Sequence, residues 1–198
     1  LNKLYRYEAV ITAMQYFSYA MAKMPYMGVG RNLAYHKDLF FKTKGFIGHR
    51  HVSSGDDDLM VNEVATGKNT AVEIRKEPHT VSEPRTSWSA WWLQKRRHLT
   101  TGRHYRFGSK IFLGVYLLSQ VLFYLSLIAL LSTGTMYWYV LCGILIKWAV
   151  HLSIISVVVR VLDEPDFLLI SLVGDLFSPF FNITVALSNR VKPPVRWR

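Results

Sequence analysis

The feature that most constrains this chain is a run of 21 residues without a charged side chain. It occupies residues 111–131 and reads IFLGVYLLSQVLFYLSLIALL. A helix that crosses the hydrocarbon core of a bilayer needs about 20 apolar residues, because each residue adds about 1.5 Å of rise. The run therefore predicts a transmembrane helix, and we expect an integral protein of a cell or inner membrane.

Two further apolar segments follow this run. Residues 136–159 come after the short link Ser132 to Thr135 and carry Lys147 and His151. Residues 167–187 are long enough for a third span, although Asp175 and Pro179 interrupt their apolar character. We therefore expect two to three transmembrane helices and a basic tail within residues 111–198.

Basic flanks set the orientation of these segments, because Lys and Arg favour the cytoplasmic side. Arg103, Arg106 and Lys110 precede the first span, which predicts that the front half is cytoplasmic. Three complete spans would carry the basic tail, with Arg190, Lys192, Arg196 and Arg198, to the outside. The third segment is therefore either a broken or re-entrant hairpin at Asp175–Pro179, or the tail is exported.

Two charged residues lie near the centres of their apolar segments. An unpaired charge at that depth costs roughly 2.5–3.5 kcal/mol on insertion scales. We therefore predict an ion pair between Lys147 and Asp175, which His151 can join because it lies four residues after Lys147. The alternative is that each side chain faces a water-filled cavity separately.

Composition excludes several classes of protein. Hydrophobic residues make up 51% of the chain, which excludes disorder, and the single Cys142 excludes a disulfide scaffold. The net charge of +11 would suit a nucleic-acid partner, but positive-inside bias beside membrane spans already explains it. No cluster has zinc-site spacing, and we interpret His49 and His51 as structural.

The front half reads as a mixed α and β domain over residues 1–85. Good helix formers predict a helix from Tyr7 to Lys23, and alternation predicts a strand from Asn69 to Ile74. Residues 86–110 then combine three tryptophans with a basic run, which is typical of a helix lying on a membrane surface.

Three motifs in this front half carry side chains suited to chemistry. In the first, Gly55-Asp56-Asp57-Asp58, like-charge repulsion raises carboxyl pKa values and favours a general base. The competing interpretation is a helix N-terminus capped by Ser53, Ser54 and Asp56.

The second motif, Gln94-Lys95-Arg96-Arg97-His98, offers guanidinium groups to phosphate oxygens, or marks residues that snorkel beside a membrane. The third, Gly28 to Lys37, includes Gly30 and Arg31 and allows close backbone approach to a ligand.

In this order the three motifs resemble the C-terminal part of a membrane-bound family 2 glycosyltransferase of the α/β GT-A fold. The family includes cellulose-synthase-like, hyaluronan-synthase-like and ceramide-glucosyltransferase-like enzymes. The acidic motif, with Asn62 after it, is similar to the family's Gly-Asp-Asp base motif. Ser82-Glu83-Pro84 resembles the element that follows, and Gln94 to His98 resembles Gln-x-x-Arg-Trp. The tail Pro194-Val195-Arg196-Trp197-Arg198 resembles that of the ceramide-glucosyltransferase-like branch.

The resemblance implies inverting transfer of a sugar from a nucleotide-sugar donor to a lipid or glycan acceptor. Asp57, in the Asp56–Asp57 pair, would be the general base, and Asp58 would lie beside the substrates. Arg97 and Gln94 would hold the leaving diphosphate, and Gly30 and Arg31 would lie by a sugar. His98 stands where the family has Trp, so the acceptor surface differs.

The resemblance also implies that a divalent cation, Mg²⁺ or Mn²⁺, binds mainly to an Asp-x-Asp upstream of Leu1. We therefore expect a fragment that is inactive by itself. Two other functions stay open: a non-catalytic scaffold that binds anionic lipid through residues 86–110, and a transporter suggested by Lys147, His151 and Asp175. Few spans and no inverted repeat weigh against the transporter.

Overall fold

A computed structural model describes residues 1–49, 52, 54–84, 86–134 and 136–191 of the chain. Several residues discussed above lie outside this described part. They are Ser53, which was expected to cap a helix, His51, and the basic tail from Lys192 to Arg198 with its Trp197.

Seven α-helices account for most of the described chain. Their bounds are α1 Asn2–Met21, α2 Lys37–Lys42, α3 Asp56–Val64, α4 Trp88–Thr101, α5 Phe107–Ser132, α6 Tyr137–Val161 and α7 Ile170–Val191. Short 3₁₀ turns occur at Gly30–Asn32, Ile47–His49, Gly102–His104 and Pro165–Phe167. The helix predicted from Tyr7 to Lys23 is present as α1, which begins five residues earlier than predicted.

The prediction of an α/β GT-A domain is wrong for the described residues, which are helical and contain no strand. The alternating segment from Asn69 to Ile74 is irregular, as is Ser82 to Pro84. Alternation makes a segment compatible with a sheet, but a strand also needs a neighbour to satisfy its backbone N–H and C=O groups. The described residues provide no such neighbour, so this segment does not form a strand.

The chain forms two compact units, one of which holds Leu1–Lys110 and the end of the chain from Val185. In this first unit, the side chain of Ser87 caps α4 by accepting the N–H of Ala90 at 3.3 Å. The cap fixes the start of the predicted surface helix two residues after its expected beginning at Thr86. Trp88 remains 62% exposed there, and the Trp91 side chain is buried.

A buried amide joins α3 to the segment that leads into α5. Asn62 is 2% exposed, and its Nδ2 donates to the Tyr26 carbonyl at 2.7 Å and to Ser109 Oγ at 3.2 Å. Its Oδ1 accepts the backbone N–H of Arg106 at 2.6 Å. The Arg106 guanidinium in turn donates to the carbonyls of Pro25 and Ala65. These bonds fix the orientation of α3 within the first unit.

The second unit comprises Ile111–Thr184 and so holds most of the three long apolar helices. By length and composition, α5, α6 and α7 are each capable of crossing a membrane. They are 26, 25 and 22 residues long, and Pro179 lies inside α7 without ending it. Of the two alternatives for the third segment, a hairpin broken at Asp175–Pro179 is therefore not formed, because α7 is continuous through these residues.

The predicted ion pair between Lys147 and Asp175 is confirmed. The Lys147 ammonium contacts an Asp175 carboxylate oxygen, and Tyr124 donates its hydroxyl hydrogen to the same oxygen. Lys147 Nζ also lies 4.8 Å from the centroid of the Tyr124 ring. His151 bonds to Ser171 Oγ at 3.0 Å, and its Nδ1 lies 3.9 Å from Asp175 Oδ1. These five side chains satisfy one another among otherwise apolar helices.

Replacing Asp175 with Leu while Lys147 is retained should destabilise the second unit, because it leaves an ammonium without its counter-charge. Removing one partner of a buried ion pair costs about 3–5 kcal/mol. Thermal unfolding of the detergent-solubilised protein measures the loss. The double variant Lys147→Met with Asp175→Leu should recover most of it, and Val173→Leu, at an exposed position on α7, is the control. An unchanged unfolding temperature for Asp175→Leu would show that the pair does not stabilise the bundle.

Candidate functional site

The three motifs of the front half approach one another at the N-terminus of α3. The helix begins at Asp56, directly after Gly55, whose φ of 81° lies in the left-handed region. A Cβ added at Gly55 would lie 2.5 Å from Thr101 Cγ2 at the end of α4. Glycine is therefore required at position 55 both for its backbone angle and for the close approach of α4.

Gly55 is the N-cap of α3 and has no side chain with which to cap it. The competing interpretation of the acidic motif as a helix N-terminus is thus confirmed for Asp56–Val64, but among the described residues neither Ser54 nor Asp56 caps it, and Ser53 lies outside the described residues. The three carboxylates still lie in the first turn, where the helix dipole favours negative charge.

Asp57 connects the acidic motif to the glycine motif. Its Oδ2 accepts the backbone N–H of Gly30 at 2.6 Å, and its Oδ1 accepts the N–H of Asp58 at 3.0 Å. A Cβ added at Gly30 would lie 3.0 Å from that Oδ2, so the glycine is what allows the approach. The neighbouring Arg31 is exposed. Burial raises the pKa of Tyr16 of α1, and the charge of Arg31 acts against this rise.

Asp58 occupies a different environment from its two neighbours. It is half-buried, and the Tyr105 hydroxyl donates to its Oδ2 at 3.4 Å. Burial and then the charge of Asp57 raise the pKa of Asp58 to about 7. Burial, followed by the charge of Asp58, also raises the pKa of Tyr105, which is 7% exposed. Asp56 is exposed.

Two side chains of helix α1, Tyr5 and Glu8, hold α4 at and beside its basic motif. Gln94 Nε2 donates to Tyr5 Oη at 3.3 Å. Glu8 accepts the Trp91 indole N–H at 2.9 Å and pairs with Lys95 at 2.7 Å. Gln94 thus contacts α1, and its predicted role at a diphosphate would require this side chain to exchange partners.

His98 and Arg97 lie on the part of α4 that approaches α3. Partial desolvation, followed by the charges of Lys95 and Arg97, lowers the pKa of His98, and the charge of Asp57 acts in the opposite direction. Asp57 is therefore within electrostatic reach of His98, although the imidazole keeps an exposed surface. Arg97 is four residues before Thr101, which packs on Gly55, so the two share a helix face.

The structure thus gathers Gly30, Asp57, Asp58 and His98 around the start of α3, with Arg97 on the adjoining face of α4. It also adds Tyr105, Glu8 and Tyr5, which sequence analysis did not select. Tyr105 is 47 residues from Asp58, and Glu8 is 83 residues from Trp91. No local pattern marks side chains that become neighbours only through folding.

Among the described residues, no group of three or more His, Cys, Asp or Glu side chains is arranged to hold a metal ion. The cation implied by the family resemblance was expected mainly on residues upstream of Leu1. The described carboxylates therefore support no step that passes through a metal.

Comparison with protein-family models, with curated proteins and with solved structures finds no match for this chain.

The stability of the first unit should depend on pH through Asp58. Its pKa in the folded protein, about 7, lies above the ordinary value of 3.8, so the folded state binds this proton more tightly. Stability should therefore fall as pH rises from about 4 to 7 and level off above that range.

Thermal unfolding measured across this range checks the expectation. Asp58→Asn cannot ionise, so its advantage over the unchanged protein should grow with pH up to about 7. Tyr105→Phe removes a hydrogen bond that lowers the pKa of Asp58, so it should move the upper end of the window to higher pH. Parallel pH profiles for the unchanged protein and Asp58→Asn would contradict the assignment.

Alanine at position 30 should displace the Asp57 carboxylate by a few tenths of an ångström, because its Cβ would meet Oδ2 at 3.0 Å. The weakened Gly30–Asp57 bond should lower the free energy of unfolding by about 1 kcal/mol. Gly102→Ala is the matched control, since a Cβ there meets nothing within 4 Å. Equal stability of the two alanine variants would show that Gly30 is not needed for the approach.

Proposed function

We propose that this protein is a membrane-bound glycosyltransferase that moves a sugar from a nucleotide-sugar donor to a membrane-associated lipid or glycan acceptor, with inversion at the anomeric carbon. The observation that carries the proposal is the position of Asp57, which accepts the Gly30 N–H while lying within electrostatic reach of His98. One carboxylate thereby contacts the glycine motif and lies near the basic motif of α4. The proposed chemistry uses the residues at the start of α3 and on α4 and does not require an α/β domain among the described residues.

Asp57 is suited to the role of general base because its carboxylate is held in a fixed orientation. Each oxygen accepts one backbone N–H, and an ionised carboxylate has about four lone-pair positions in total. Free lone pairs therefore remain for the acceptor hydroxyl. In the proposed step, Asp57 takes the hydroxyl proton while the acceptor oxygen bonds to the anomeric carbon. The bond from that carbon to the diphosphate breaks, and its electron pair leaves with the nucleoside diphosphate.

The basic end of α4 is suited to the leaving group. Arg97, on the helix face shared with Thr101, presents a planar guanidinium that matches phosphate oxygens. Cationic groups placed where negative charge develops stabilise a transition state. Gln94 would add an amide donor after leaving Tyr5, and His98 would contact the acceptor. This arrangement supports a nucleotide sugar as the donor, because its leaving group is a nucleoside diphosphate.

The membrane helices support an acceptor that is carried in or delivered to a bilayer. Three described helices are long and apolar enough to cross it. In α4, the exposed Trp88 and Leu93 precede the basic motif that begins at Gln94. Exposed apolar side chains beside basic residues suit a helix lying at the lipid surface. The basic residues before α5 favour a cytoplasmic position for the site.

A scaffold that binds anionic lipid is the second candidate. The exposed Trp88 and Leu93 beside the basic run of α4 favour it, because the same combination binds lipid headgroups. A scaffold gives no reason, however, for the contact between Gly30 and Asp57 or for the half-buried Asp58.

Substitution of Asp57 separates the two candidates. Membranes containing the full-length protein, with the residues expected upstream of Leu1, are supplied with radiolabelled UDP-glucose, UDP-N-acetylglucosamine or GDP-mannose, and transfer to extracted lipid and glycan is measured. Asp57→Asn should lower the rate by about 10²–10⁴-fold, because a general base contributes that much. Asp38→Asn, an exposed carboxylate on α2, is the control and should keep the rate.

Both variants should remain in the membrane fraction after alkaline extraction. Transfer that survives in Asp57→Asn would remove Asp57 from its role. A protein that transfers from none of the three donors, yet binds vesicles containing anionic lipid through α4, would favour the scaffold.

A further inference from the structure

The last turn of α7 makes a reciprocal contact with the basic motif of α4. Arg96 Nε donates to Asn189 Oδ1 at 2.9 Å, and Asn189 Nδ2 donates to the Arg96 carbonyl at 2.8 Å. Arg96 also reaches the Ser188 carbonyl at 3.4 Å. A primary amide can accept from a guanidinium through its oxygen and donate to a carbonyl through its nitrogen at the same time.

This contact lies on the side of α4 that faces away from α1. At 3.6 residues per turn, Arg96 is rotated by about 140° from Trp91, which contacts Glu8 of α1. Gln94 and Lys95 bond to α1 from the Trp91 side of the helix. Helix α4 is therefore held from nearly opposite directions, and its rotation about its own axis is fixed.

Arg97 depends on that rotation. It follows Arg96 directly, and it shares with Thr101 the face that approaches the acidic motif. A rotation of α4 by one residue position, about 100°, would carry Arg97 away from this face. The contacts of Arg96 oppose such a rotation without involving Arg97 itself.

We propose that the last turn of α7 docks on α4 through Asn189, and that Asn189 is thereby a positioning residue for Arg97. Helices α5 and α6 carry the chain away from the side of α4 and back to it. The docking therefore requires α7 to begin and end on that side without completing a third crossing. Arg190, which follows Asn189, then lies on the side that positive-inside bias favours. The positioning role rests on the proposed function, whereas the docking and the side of the membrane do not.

Labelling with a membrane-impermeant maleimide in sealed vesicles tests on which side of the membrane α7 ends. In a Cys142→Ser background, single cysteines replace Arg190, Arg103 before α5, and Thr133 in the link after α5. Arg190→Cys should be labelled from the same side of the membrane as Arg103→Cys. It should be protected in vesicles whose orientation allows labelling of Thr133→Cys. Labelling of position 190 together with position 133 would overturn the proposal.

Cross-linking tests the docking directly. Arg96→Cys with Asn189→Cys should react with a short bis-maleimide and lose both thiols to later labelling. Arg96→Cys with Leu187→Cys is the matched control, because Leu187 is exposed and lies two residues away on another face of α7. Equal cross-linking of the two pairs, or none for position 189, would contradict the docking.

Binding of UDP and GDP to the full-length protein, with the residues expected upstream of Leu1, tests the positioning role. Asn189→Ala should weaken nucleotide binding about tenfold, because it removes the side-chain acceptor of the Arg96 guanidinium and the donor to the Arg96 carbonyl. Asn189→Asp keeps an acceptor for Arg96 and should restore most of the affinity. Ser188→Ala keeps its carbonyl and should bind as the unchanged protein does.

A purely structural role for Asn189 would give a different result. Both Asn189 variants would then lower the unfolding temperature while the folded protein bound nucleotide with unchanged affinity, and the positioning role would be refuted. If the unchanged protein binds neither nucleotide, the proposed function fails, and with it the positioning role. Labelling and cross-linking still decide the docking in that case.

Discussion

The side chain of Asn62 uses both of its donors and its acceptor within one small region of the first unit. Through these bonds, α3 is tied to the Pro25–Tyr26 segment and to the residues that begin α5. A buried amide left without partners would cost about 1–3 kcal/mol, so these bonds are strongly favoured once the segments meet. The orientation of α3, and hence of the carboxylates in its first turn, depends on them.

The candidate site combines charges of opposite sign on separate helices. Carboxylates occupy the first turn of α3, and the basic motif occupies α4, which α1 supports through Glu8 and Tyr5. Each group has a protein partner that fixes its position. Asp57 is held by two backbone N–H groups, and Asp58 by Tyr105. Under the proposed function, this arrangement would present a base and a cation to a substrate with little rearrangement, which is the condition for electrostatic catalysis.

A charged side chain needs a partner or water, both among the membrane helices and in the first turn of α3, but the surrounding solvent differs. Among apolar helices, Lys147 and Asp175 satisfy each other because lipid offers no alternative partner. This requirement is so severe that the pair was predictable from depth alone. At the surface, water can replace any partner, and the sequence therefore left two interpretations of the acidic motif open. The backbone contact at Gly30 and the bond from Tyr105 to Asp58 distinguish its environment from that of an ordinary helix start.

The sequence by itself determined the three long apolar helices, the helices α1 and α4, and the Lys147–Asp175 pair, because length, spacing and desolvation act locally or at a known depth. It misled about the segment from Asn69 to Ile74, since a strand depends on a neighbour that alternation cannot reveal. Tertiary structure alone decided that Tyr105 meets Asp58, that α1 supports the basic motif, and that Asn189 contacts Arg96. These contacts join residues tens of positions apart, and their energies exist only after the intervening chain has folded.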